Sequence, residues 1–278
     1  ALARYPSAEG VILAEGVRRA RGFYGSPNNL ALYLERHLPL GLAVTLWGRD
    51  SRRRWVYGAG GVAVALVVGL TFSRGAWLLG VPAALLVVVW LRGGRARRLA
   101  VGGLLALLIA LIPLSQTPRF ASLLDPSRGT TFLRLRLWEA AWHMAQDHPL
   151  LGVGPDNFLY YYGDYILLGA EADRWLSHPH NLILDPWLRL GLPGLLLWLS
   201  MLGLLVWRGL ALLRSSRLDD DRPILIGLLG GVAALVAHGL IDSSFFVIEL
   251  AYWFMFVLAW ITDRSRMAEE NSRRSQST

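Results

Sequence analysis

Long, almost uncharged apolar stretches recur along this chain, each near the ~20 residues that carry a helix across a bilayer core. A soluble chain of 278 residues breaks its apolar residues into short runs backed by polar faces. Here 54% of residues are hydrophobic and the mean hydropathy is +0.40. The pattern predicts an all-α polytopic membrane protein with seven spans, over residues 29–47, 55–72, 76–91, 99–115, 192–207, 224–241 and 246–261. The first of these contains Glu35, Arg36 and His37. Charges at that depth are costly and face a protein interior or a cavity, so a broken or interfacial helix is the alternative there.

The arginines set the orientation. All 28 basic residues are arginine, and the net charge is +8. They cluster between apolar runs, which reads as membrane topology rather than as a nucleic-acid surface. The clusters are Arg52 to Arg54; Arg92, Arg95, Arg97 and Arg98; Arg208, Arg214, Arg217 and Arg222; and Arg264, Arg266, Arg273 and Arg274. With all four on the cytoplasmic side, the seven spans alternate without contradiction. Residues 73–75, 116–181 and 242–245 then face the other side.

The expected organisation is an external segment 1–28, a four-helix membrane part 29–115, an external loop 116–181, a three-helix part 182–262 and a cytoplasmic tail 263–278. The chain opens at Ala1 on a polar stretch without a signal-peptide pattern, so it reads as the C-terminal part of a longer protein with earlier membrane helices. The absence of cysteine excludes disulfides, thiolate metal sites and thiol nucleophiles.

A loop as long as 116–181 is beyond an ordinary connection and points to function. It contains an amphipathic helix candidate over 131–146, with Leu133, Leu137, Ala141 and Met144 as the apolar stripe. His148-Pro149 ends that helix, and Gly152-Val153-Gly154-Pro155 turns the chain. Tyr160, Tyr161, Tyr162 and Trp175 suit a bilayer interface or a sugar-stacking surface.

The external face offers few reactive groups. Arg74 stands in Ser73-Arg74-Gly75, where a guanidinium beside the hydrocarbon core needs a partner or an anionic ligand. Snorkelling toward lipid headgroups is the simpler use of the same residue. Arg134 and Arg136 lie on the amphipathic helix about 200° apart, so only one of them faces a given site. His178 and His180 flank Pro179; a histidine takes a proton near neutral pH and suits a general base. No carboxylate spacing in the loop completes a metal site with them, and no cofactor is expected. His238, four residues before Asp242, is placed on the same helix face as that residue, either for function or for helix packing.

His180-Asn181, nine residues, then Gly191-Leu192-Pro193-Gly194 resembles the histidine motif of the O-antigen ligase and polymerase family. Three further segments resemble that family in order: Gly25-Ser26-Pro27-Asn28-Asn29; Ser73-Arg74-Gly75-Ala76-Trp77; and Arg134-Leu135-Arg136-Leu137-Trp138 with Asp147-His148-Pro149-Leu150-Leu151-Gly152. The resemblance implies an inner-membrane enzyme with its active site on the periplasmic side. It would take a glycan from an undecaprenyl-diphosphate carrier and join it, with inversion and without a metal, to an acceptor hydroxyl. A ligase uses lipid A-core as acceptor, and a polymerase uses another lipid-linked repeat unit. Residue by residue, the resemblance implies catalytic roles for Arg74, Arg134 and His180. Asn181 would hold the His180 tautomer or bind the acceptor, with Arg136, His238 and Asp242 as further substrate-binding candidates.

Two readings of other classes stand beside this one. A transporter of a lipid-linked anion would line a central path with arginines reachable from both sides. A scaffolding subunit would keep its function without the arginines and the histidine.

Overall fold

The computed structural model describes residues 11–14, 17–95, 97–98, 101–102, 109, 129–171, 174–214 and 221–276. The expected fourth span, the start of the external loop, Asp173, Arg217, Asp219 and Asp220 lie outside, or almost wholly outside, those residues. Two compact units are present. One comprises 1–92, 205–238 and 244–278, and the other 93–204 with 239–243.

The first unit opens with an antiparallel hairpin, β1 (Val11–Ala14) against β2 (Val17–Ala20), which an all-α expectation did not include. Arg19 on β2 donates to the Thr71 carbonyl at 2.7 Å and to Asn28 Oδ1 at 3.0 Å. Helix α1 (Pro27–Glu35) starts at Ser26, whose hydroxyl accepts the Asn29 N–H at 3.1 Å, with Pro27 in the first turn. Helix α2 (Leu38–Trp47) follows after a break at Arg36-His37. The first expected span is therefore the broken form of the two alternatives. Helix α3 (Ser51–Thr71) is capped by Asp50 and stops at Phe72, which takes a left-handed conformation (φ 49°). A π-helical turn over Ala76–Gly80 leads into α4 (Val81–Arg92).

The second unit contains α5 (Gly129–Asp147), the loop's expected amphipathic helix, and α6 (Phe158–Tyr165). Their core joins Leu137, Ala141, Met144, Phe158, Tyr162 and Leu188. Tyr162 is buried there, while Tyr160 and Trp175 stay exposed. Helix α7 (Leu184–Arg214) begins earlier than the expected span at 192 and carries a break at Gly191. Helices α8 (Arg222–Gly239) and α9 (Ile248–Gln276) complete the described elements.

Among the described residues three helices, α3, α7 and α8, are long and apolar enough to cross a membrane, and Ala76–Arg92 is a shorter apolar stretch. In α3 only 11% of the apolar window is buried, against 72% in α8. Trp55, Val62, Leu66 and Leu70 of α3 stand exposed, as lipid contact requires and water disfavours. Helix α8 is central because its glycines admit neighbours closely. A Cβ on Gly227 would stand 2.4 Å from the Leu40 Cα.

Candidate active site

His180 closes the corner before α7. It has a left-handed backbone (φ 49°), and its Nδ1 lies 2.7 Å from Asp242 Oδ1. The His180 side chain keeps 28% exposure while that of Asp242 keeps 3%. One ring nitrogen is thus committed to a buried carboxylate. The other, Nε2, makes no hydrogen bond among the described residues.

The sequence places the helper differently. Asn181 does not hold the His180 ring: its Oδ1 accepts the N–H groups of Ile183 (2.9 Å) and Leu184 (3.1 Å), and its Nδ2 donates to the Leu240 carbonyl at 3.1 Å. Asn181 therefore caps α7 and ties it to the turn that carries Asp242. Nor do His238 and Asp242 share a helix face, because α8 ends at Gly239. In the first unit His238 Nδ1 instead meets both carboxylate oxygens of Glu35, at 3.0 and 3.1 Å, with both side chains essentially buried. Gly75 makes room for that pair, since a Cβ there would stand 2.2 Å from His238 Nε2. Arg74, its neighbour, is exposed at the start of the helical segment leading into the π-turn.

Helix α5 distinguishes its two arginines. Arg136 is bound to its own helix surface, at 3.0 Å from Glu139 and over the Phe132 ring. Arg134 is half-buried and makes no hydrogen bond or ion pair among the described residues. It lies one turn before Trp138 on the same face. Trp138 Nε1 donates to the carbonyls of Pro179 (3.1 Å) and His180 (3.4 Å), fixing the histidine segment against α5. His178 packs edge-on to His180, ring centroids 4.1 Å apart. Burial first, and then the neighbouring His180, push the His178 imidazole down to about 4, so it is neutral at pH 7.

The glycines of the motif have a structural cause. Gly191 adopts φ 71°, and a Cβ there would lie 1.8 Å from the Leu150 carbonyl oxygen. In an unbroken helix the Leu192 N–H would bond to the Leu188 carbonyl. Instead Leu192 N–H donates to Pro149 O (2.9 Å), and Leu188 O accepts from Val153 N–H (2.7 Å). The chain after α5 thus satisfies both halves of the broken bond, and Trp187 Nε1 adds a third bond to Pro149 O at 3.1 Å.

Three polar residues of this unit, Asp185, Arg189 and Ser243, escaped the sequence reading. Asp185 and Arg189 pair at 2.7 Å across one helical turn, Arg189 also binds Asp156, and the Ser243 hydroxyl donates to Asp185 Oδ2 at 2.8 Å. Two opposite charges four residues apart beside an apolar run were the available signal for the first pair.

A helical chain with bilayer-length apolar helices defines a class: multi-pass membrane proteins. Residues 59–199, just over half of the chain, match the family model of the O-antigen ligases, and the chain belongs to that family. Membership carries glycan transfer of the ligase or polymerase type. No curated protein matches the chain.

Proposed function

We propose that this protein moves a glycan from an undecaprenyl-diphosphate carrier onto an acceptor hydroxyl at the periplasmic face of the inner membrane. The observation that carries this reading is the His180–Asp242 pair. Asp242 accepts the Nδ1 proton of the neutral ring, which leaves Nε2 as the base. Nε2 takes the proton of the acceptor hydroxyl as its oxygen bonds to the anomeric carbon. The bond from that carbon to the carrier phosphate breaks, and its electron pair leaves with the diphosphate. Attack opposite the leaving group inverts the anomeric centre. Asp242 stabilises the imidazolium that forms.

Charge grows on the phosphate oxygens in this step. Arg74 and Arg134 are the residues assigned to it, since a guanidinium binds phosphate through paired donors and keeps its charge. The arginine clusters support this reading, because an orientation with all four on the cytoplasmic side would put Ser73-Arg74-Gly75 and His180 on the external side.

The test is transfer by the purified protein in detergent. The donor is an undecaprenyl-diphosphate oligosaccharide, offered with lipid A-core or alone, with and without chelator. Product on lipid A-core in the presence of chelator, lost in His180→Ala, supports a metal-independent ligase. Longer lipid-linked chains without that acceptor make it a polymerase. Full transfer by His180→Ala rejects the base assignment.

A further inference from the structure

Behind His180 lie two buried carboxylates, Asp242 at 2% and Asp185 at 3% exposure. Ser243 stands between them. Its backbone N–H donates to Asp242 Oδ1 at 2.8 Å, the same oxygen that meets His180, and its hydroxyl donates to Asp185. Arg189 pairs with Asp185 at 2.7 Å, and His180 Nδ1 meets Asp242 at 2.7 Å.

Stability alone does not account for this arrangement. Replacing a buried ionic group by apolar residues of similar volume is often neutral or stabilising, whereas hydrogen bonds fix direction. The turn after α8 is already tied down by backbone contacts, Leu182 N–H to Gly239 O at 2.7 Å and Asn181 Nδ2 to Leu240 O. Those two bonds locate the turn but leave the rotation of its last residues open. The bonds through Ser243 fix that rotation.

We propose that Ser243 and Asp185 are positioning residues that lock the 239–243 turn where Asp242 meets His180 Nδ1. Arg189, 2.7 Å from Asp185 Oδ1, orients that carboxylate so that its other oxygen accepts the hydrogen bond of the serine hydroxyl. The inference rests on the reading of His180 as the base. The charged and titratable groups near that ring are Asp242 on the turn, His178 on its own segment, and Asp185 and Arg189 on α7.

The experiment compares the full chain with Ser243→Ala, Ser243→Thr and Asp185→Ala, reading kcat, KM for the lipid-linked donor, the pH–rate profile and the melting temperature. Ser243→Ala is expected to lower kcat about 10- to 100-fold, the scale of a small misplacement of a reacting group. The KM and the melting temperature stay near those of the native chain, and the pH midpoint of the rate moves. Asp185→Ala moves kcat in the same direction, and Ser243→Thr, which keeps the hydroxyl, restores the rate. The proposal is overturned if Ser243→Ala keeps the native kcat and pH midpoint, or if its loss only tracks lost folded protein. His180→Ala, run alongside, separates the two ideas. An inactive His180→Ala with a fully active Ser243→Ala removes the clamp and leaves the base, whereas an active His180→Ala removes both.

Discussion

His180 and Asp242 are 62 residues apart in the chain and meet at 2.7 Å. The buried carboxylate fixes one nitrogen of the ring and leaves the other to the open side. Asp242→Asn replaces an acceptor by a group that can also donate, which favours the wrong ring tautomer. Transfer is expected to fall about 10²- to 10⁴-fold, the range of positioned proton transfer. Initial rates across pH 5 to 9 check this, and an unchanged profile counts against the pair.

The two arginines of α5 are expected to separate clearly. Arg134→Ala lowers kcat about 10²- to 10³-fold, the scale of a lost transition-state donor. Arg134→Lys recovers little of it, because a single ammonium lacks the paired donors. Arg136→Ala loses a surface ion pair with Glu139, worth about 0–1 kcal/mol, and the contact over Phe132, and leaves the rate near native. Equal losses at both positions would contradict the assignment.

His178 gives a pH dependence with a definite sign. Its value in the folded protein is about 4, below the ordinary 6.5. Between those values the unfolded chain binds more protons than the folded one, so stability falls as pH drops from about 6.5 toward about 4 and then levels off. Melting curves followed by tryptophan fluorescence should show this slope, and His178→Phe should flatten it.

The Glu35–His238 pair belongs to the opposite regime, buried on both sides. His238→Ala leaves the Glu35 carboxylate without this partner, and such single removals cost about 3–5 kcal/mol. Joint replacement by Leu at both positions should recover much of the loss. A double variant no more stable than the single one argues against coupling.

How much of this was legible in the sequence depends on the range of the interaction. The break at Arg36-His37, the helix before His148-Pro149 and the order of the apolar helices follow from local charge, proline and periodicity. The preference for Arg134 over Arg136 came from the resemblance, and the partners of α5 add that Arg136 is engaged by Glu139 and Phe132. Asp242 was found as a residue but placed on α8, because Leu240 and Ile241 carry the apolar run past the helix end at Gly239. Its partner lies on another segment. The β1–β2 hairpin is local, with Ala14 opposite Val17, and was missed because two four-residue strands carry too short an alternation to stand out beside the apolar spans. Ser243 is an ordinary serine until Asp185 stands opposite it.

Gly191→Ala should be poorly tolerated. The backbone conformation alone costs a non-glycine residue about 1–3 kcal/mol, before the clash with Leu150. Limited proteolysis between residues 148 and 153 should accelerate as that segment loses its anchors on α7.

The break at Gly191 also makes the nine residues after Asn181 a ruler. One end is pinned by the Asn181 cap and the other by the carbonyl of Pro149. Adding or deleting a single residue would swing the break by about 100° around the helix axis. Pro149 and Val153 would then face the wrong side of α7, while the histidine corner stayed where it was. Apart from Asp185 and Arg189, residues within the interval are constrained mainly by packing, but its length is constrained by angle. Change in such a chain is therefore expected to arrive as exchanged residues here, and as altered length outside this interval.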